Sequence, residues 1–180
     1  FTADPLSEQG TGSVPGLLQK YHGRALLVTT GACAIHCRYC FRREYPYHES
    51  PAAARLWQPA IDQLAADPQI EEVILSGGDP LTLVDSQLSE LVERLQAIPH
   101  LKLLRIHTRL PIMIPGRICD SLLDWLTATR LQPIMVIHAN HANELDGEVA
   151  ESLERLSRAG ILLLNQSVLL SRVNDDAGTL

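Results

Sequence analysis

Cys33, Cys37 and Cys40 lie within the eleven residues CAIHCRYCFRR, 33 to 43, and the chain has only four cysteines in all. Three thiolates at C-x3-C-x2-C spacing on one short loop converge on a single metal centre more readily than they pair as disulfides. Two kinds of centre are open. A tetrahedral zinc site needs a fourth ligand, for which His36 and His48 are at hand, and structural zinc usually draws its ligands as two separated pairs. An iron-sulfur cluster serving electron transfer ordinarily takes four cysteines. The remaining one, Cys119, sits about 80 residues away in a helical pattern, where core filling is the simpler role. A cluster held by three cysteines leaves one iron free to bind a substrate or cofactor.

The bulk composition narrows the setting. Of 180 residues, 46% are hydrophobic and 20% charged, which suits a globular domain with a real core. A net charge of -6 argues against a nucleic-acid groove, which needs an excess of clustered Lys and Arg. The basic residues at 20, 24, 38, 42 and 43 are a local exception. No apolar run approaches the ~20 residues of a spanning helix, and FTADPLSEQG has no secretory pattern. The expected setting is therefore cytoplasmic, with neither membrane nor nucleic acid as partner, and there a cysteine cluster speaks for metal or catalysis. Phe1 in place of Met implies a processed or partial chain.

The elements that must position the cysteines follow from hydrophobic patterning. Residues 1 to 20 read as an arm or linker, and 21 to 180 as one domain. RALLVTTGAC, EEVILSGGDP, LKLLRIHTRLP, PIMVIHAN and ILLLNQSVLL are short continuous apolar runs, the mark of strands covered on both faces. Helical spacing joins Val84, Leu88, Leu91, Val92 and Leu95, with Asp85 or Ser86 as cap. It also joins Ile118, Leu122, Trp125 and Leu126, and again Val149, Leu153 and Leu156, ended by Gly160. A further helix is expected over 52 to 66. Strand then helix, repeated about five times, predicts an α/β fold with a parallel sheet: a partial barrel, with NDDAGTL starting another helix. Each strand turns polar at the same end: Thr29, Thr30 and Gly31; Ser76 to Asp79; His107 to Arg109; His138 and Asn140; Asn165 to Ser167. Chain ends meeting water would explain any one of these. All five together predict a shared site on the face where parallel barrels place ligands.

Beyond the cysteines, Gly77 and Gly78 let backbone approach a ligand closely, with N–H and C=O groups free to bond, or simply make a tight loop. Asp79 is placed to cap the next helix. His138 is either a hydrogen-bonded structural residue or a ligand contact. Arg42 offers a bidentate fork suited to a carboxylate.

CAIHCRYCFRR after the first strand resembles the signature of the radical S-adenosylmethionine superfamily. YHGRALL, LSGGDPL, IHTRLPIMIP, HANHANE and LNQSVLL, in this order, are similar to the lysine 2,3-aminomutase family, and within it to the branch that supplies (R)-beta-lysine to elongation factor P. The resemblance implies a radical-type TIM-like barrel, of which about five βα units are present, and a [4Fe-4S] cluster on Cys33, Cys37 and Cys40. It implies S-adenosylmethionine held by Ser76, Gly77, Gly78, Asp79, His138 and Gln166, and pyridoxal 5'-phosphate touched by Tyr21 and Arg24. Arg42 would bind the carboxylate of L-lysine, while Tyr39 and Phe41 would shield the cluster or touch adenine. Also implied are a one-electron reductant such as flavodoxin or ferredoxin and a ligase that passes the product to elongation factor P. A lysine 2,3-aminomutase of ordinary metabolism and a non-catalytic iron-sulfur module are the alternatives. The pyridoxal-anchoring lysine of the family has no counterpart here, since neither Lys20 nor Lys102 falls in a matching motif.

Overall fold

The computed structural model describes residues 4–8, 14–47 and 57–179. Six strands form one sheet in the order β1-β2-β3-β4-β5-β6: Leu17–Tyr21, Arg24–Thr30, Glu72–Gly77, Leu103–Thr108, Gln132–Ile137 and Leu162–Asn165. β2 to β6 are parallel to one another, and β1 folds back antiparallel on β2 through the turn at Gly23. The five parallel strands are the five expected from the apolar runs. Helices α1 (Gln58–Ala66), α2 (Asp85–Gln96), the short α3 (Leu110–Met113), α4 (Asp120–Ala128) and α5 (Gly147–Arg158) connect them. Strand order follows chain order and the sheet is not closed among the described residues, so the fold is a partial TIM-like α/β barrel.

Two-residue alternation sorts the side chains. Leu27, Val73, Leu75, Leu104, Ile106 and Met135 are almost fully buried, in one core with Leu64, Leu88, Leu91, Leu122 and Trp125 of the helices. Each such side chain contributes roughly 1.5 to 3 kcal/mol by leaving water. The opposite face carries Ile74, Arg105, His107, Ile134, Val136, Leu162 and Leu164, brought into line by the β3 to β6 registers. On it the last strand is open, with Leu162 and Leu164 exposed.

Four local readings change. The arm expected over 1 to 20 ends earlier, because Leu17 pairs with Leu27 and is 1% exposed, which makes 17–21 a strand. Neither Asp85 nor Ser86 caps α2: the N-cap is Val84, with no side-chain cap. Asp85 instead accepts from Arg117, Ser121 and Trp125, which joins the start of α2 to α4. The helix expected over 52 to 66 is described from Gln58 onward, its earlier part lying outside the described residues. No helix starts within 174–179: turns occupy this stretch, with the Asn174 amide donating to the carbonyls of Asn140 and Val168. No helix of the described residues is long and apolar enough to cross a membrane.

Candidate functional site

The loop after β2 carries all three clustered cysteines, Cys33 and Cys37 half-buried and Cys40 exposed, at the C-terminal end of the parallel strands. Its path is fixed by β3. Gly78 N–H donates to Thr30 O (2.7 Å) and Asp79 N–H to Ala32 O (2.7 Å), while Tyr47 Oη–H donates to Gly77 O (2.8 Å). These three backbone groups of the glycine loop are spent on the cysteine loop and Tyr47. The close approach that requires Gly78 is to the cysteine loop: a Cβ there would overlap the Ala32 carbonyl oxygen and lie 2.7 Å from its carbon. Gly77 has φ +122°, in the region that favours glycine.

Asp79 is 6% exposed and fully engaged. Oδ1 accepts from Thr108 Oγ1 (2.7 Å) and Leu81 N (3.1 Å), and Oδ2 from Arg109 N (2.8 Å). Of the two roles expected for it, capping the turn at Pro80–Thr82 is the one the geometry displays, together with a bridge to β4. Burial raises its pKa despite these bonds.

Arg42 reaches over the end of β3. Its Nη1 donates to Ser76 Oγ (2.9 Å), and Nε and Nη2 donate to both oxygens of Glu8 (2.8 and 2.7 Å). Its guanidinium also lies 4.8 Å from the centre of the Phe41 ring. Next along the sheet, the His107 and His138 rings meet edge to face, 5.7 Å apart. His138 Nε2 is buried without a partner among the described residues. Both imidazoles are pushed down to about 4, first by burial. The charge of Arg42 contributes to each, and the Gln166 side chain hydrogen-bonds to His107. Gln166 N–H continues the sheet by donating to Ile137 O (2.9 Å). Ser76, His107, His138 and Gln166 therefore stand side by side on adjacent strands, at the end where the cysteine loop sits.

The structure does not bring every expected residue here. Tyr21 and Arg24 flank the β1–β2 turn, at the other end of β2 from Cys33, and Tyr21 is 63% exposed. Arg24 pairs with Glu72 (3.4 Å), which also binds Arg105. Of the two lysines, Lys102 pairs with Glu71 and Lys20 donates to Leu6 O, both exposed. Sequence reading placed Arg109 among the polar strand ends without giving it a role, and Glu144 escaped it. Arg109 Nη2 donates to Glu144 Oε2 (2.6 Å) and Nη1 to Cys37 Sγ (3.6 Å). Tyr39, expected near the cluster, lies under Arg109 and accepts from Asn140 Nδ2. A strand-end arginine gives no local sign that its partners are 35 and 72 residues away.

The donor set fits an iron-sulfur cluster. The three cysteines share one loop, and burial, then the charges of Asp79, Cys40 and Cys37, push the Cys33 thiol up to about 11. A cationic centre bound there would favour the thiolates. Among the described residues no three His, Cys, Asp or Glu side chains are grouped as a single metal ion would need. A cluster is larger and takes its cysteines on different irons. His48 lies outside the described residues.

Residues 27–177 match the model of the Radical SAM superfamily. The chain belongs to that superfamily. Within it, this radical SAM chain is 53% identical to the L-lysine 2,3-aminomutase of Escherichia coli, over 100% of its own length and 52% of that protein. It is 52% identical to the L-lysine 2,3-aminomutase of Haemophilus influenzae, over 98% of its length and 52% of that protein. It is 39% identical to that of Clostridium subterminale, over 96% and 41% respectively. The chain thus spans about half the length of the curated relatives it matches.

Proposed function

We propose that this chain is the cluster- and cofactor-binding part of an L-lysine 2,3-aminomutase, an isomerase that moves the 2-amino group of L-lysine to carbon 3. The supporting observation is one composite surface: the cysteine loop is bonded through its backbone to the Ser76–Asp79 turn, and Arg42 stands beside it on Ser76. The proposal assigns Cys33, Cys37 and Cys40 to three irons of a [4Fe-4S] cluster, and Ser76, Gly77, Gly78, Asp79, His138 and Gln166 to S-adenosylmethionine. When bound, that pair supplies one-electron cleavage and a radical able to take hydrogen from an unactivated carbon.

The chain's own residues hold and shield. The Gly78 contact sets the distance between the cysteine loop and β3. His138, neutral and with Nε2 unspent, offers a hydrogen bond without adding charge beside Arg42. His107 orients Gln166. Arg42 presents its fork to the substrate carboxylate, a place now taken by Glu8. Asp79 acts through position, its carboxylate accepting from Leu81 N, Thr108 Oγ1 and Arg109 N. Ile74, Ile134 and Val136 lie below these groups, with Arg105 between Ile74 and Ile134 on the same face.

Pyridoxal 5'-phosphate, implied by the lysine 2,3-aminomutase resemblance, is assigned on that resemblance to Tyr21 and Arg24, which flank the β1–β2 turn, where Arg24 also pairs with Glu72. The branch that serves elongation factor P is taken over an aminomutase of general metabolism on the motif resemblance; the chain is 53% and 52% identical to the Escherichia coli and Haemophilus influenzae proteins and 39% to the clostridial one. On this reading the product passes to a ligase acting on elongation factor P. The cluster draws electrons from a flavodoxin or ferredoxin, in a cytoplasm that keeps the thiols reduced.

The deciding experiment is anaerobic reconstitution of the full-length protein with iron and sulfide, then electron paramagnetic resonance of the reduced cluster with and without S-adenosylmethionine. A [4Fe-4S] spectrum that changes on addition, with conversion of L-lysine to its beta isomer, supports the proposal. An unresponsive spectrum from a fully loaded protein refutes the open iron.

A further inference from the structure

We infer that Arg109 is a positioning residue for the cluster, holding Cys37 by a charge-assisted hydrogen bond and setting the reduction potential by its positive charge. The inference rests on the proposed [4Fe-4S] reading of the three cysteines and adds a residue from β4's end that the reading did not contain.

Arg109 is fixed from three directions. Its backbone N–H donates to Asp79 Oδ2 (2.8 Å), its Nη2 to Glu144 Oε2 (2.6 Å), and its guanidinium lies 5.6 Å from the centre of the Tyr39 ring, one residue before Cys40. Glu144 is itself held, its Oε1 accepting from Asn140 N (2.9 Å). The remaining Nη1 points its hydrogen at Cys37 Sγ, 3.6 Å away. Nε is buried with no partner among the described residues, leaving a second donor on the same guanidinium unspent. With the side chain only 18% exposed, solvent screens this charge weakly.

A cation so placed has a defined electrostatic consequence. Reduction adds one electron and one negative charge to a cluster, with no bond made and no proton moved. Hydrogen bonds to the sulfurs and nearby charge set how favourable that is. Arg109 favours the reduced state, and Glu144, at its other end, opposes part of that effect. Arg38 and Arg43, nearer in sequence, differ in kind. Among the described residues neither bonds to a cysteine sulfur, and Arg43 donates to the Arg38 carbonyl.

The test is the midpoint potential of the reconstituted full-length protein, read by electron paramagnetic resonance in a redox titration, with iron and sulfide counted in each sample. Arg109→Gln is expected to lower the potential, so that at a fixed applied potential the ratio of reduced to oxidised cluster falls about tenfold. Arg109→Lys, which keeps the charge, should restore most of that ratio. Glu144→Gln should move the potential the opposite way, a reversal that mere loosening of the loop would not produce. Equal potentials in loaded wild type and Arg109→Gln, or shifts of one sign in Arg109→Gln and Glu144→Gln, overturn the inference while leaving the cluster reading intact. Should Arg109→Gln fail to load, Arg109→Lys and Glu144→Gln decide by the same signs. A wild-type protein that takes up no cluster overturns both.

Discussion

The guanidinium of Arg42 is held by both carboxylate oxygens of Glu8, at 2.8 and 2.7 Å, and the two side chains are only 7% and 12% exposed. A fork closed on one carboxylate is not open to another, so on the proposed reading an incoming lysine carboxylate must displace Glu8. Glu8→Gln removes the competing charge and should lower the apparent Kd for lysine about tenfold, measured by calorimetry on the full-length protein. The same change leaves a buried cation short of its partner. The variant should be less stable by ~3 kcal/mol without lysine and regain much of that with it. An unchanged Kd would remove Glu8 from the substrate's path.

Gly78 offers a second test. Because a Cβ would overlap the Ala32 carbonyl, Gly78→Ala must push the cysteine loop away from β3, breaking the bonds to Thr30 O and Ala32 O. Overpacking against backbone costs about 1 to 3 kcal/mol. The expected result is that loss in urea denaturation, with fewer irons bound per chain after reconstitution. Full iron loading at wild-type stability would show that the two loops need not touch.

These two contacts mark where sequence reading succeeds and where it stops. The parallel strands were legible because each is a continuous apolar run, and the cysteine loop because its spacing is chemistry in itself. β1 was hidden: in LLQKY only Leu17 is buried, and what makes it a strand is pairing with Leu27 across Gly23. Glycine types at 77 and 78 said that something approaches the backbone, but whether ligand or protein is a tertiary fact. The Arg109–Glu144–Cys37 arrangement joins three loops distant in sequence, and no periodicity reports it. At the C-terminal end, NDDAGTL has polar residues suited to a helix start, yet buried Asn174 is committed to carbonyls of other loops and the turn at Arg172 takes φ +62°.

Asp85 illustrates how a misread cap becomes a tie. Although burial opposes its charge, hydrogen bonds from Arg117, Ser121 and Trp125 hold its pKa below the usual range. Removing the carboxylate leaves Trp125 Nε1 without its acceptor and takes the ion pair from Arg117, which keeps the carbonyls of Leu81 and Leu83, so Asp85→Ala should cost about 2 kcal/mol. The depressed pKa adds a sign: the stabilisation is present above the unfolded value of 3.8 and fades as pH falls below it. Denaturation at pH 7 and pH 3 checks both, the gap between wild type and Asp85→Ala narrowing at the lower pH.

The paired imidazoles set a different window. His107 and His138 stay neutral in the fold because burial lowers them from 6.5 to about 4, with Arg42 adding to the effect on both. The unfolded chain takes up their protons first as pH falls through 6.5, so the native state loses stability between pH 6.5 and about 4 and no further below that. Each ring should account for ~2 kcal/mol between pH 7 and pH 5. Asp79, raised by burial, works the other way, its contribution rising as pH falls. His107→Gln has no proton to gain and an amide to offer Gln166, and its urea midpoint should fall less steeply with pH than that of wild type. Should the variant keep the full wild-type slope, the acid sensitivity would belong to other groups and the neutral pair would have no part in it.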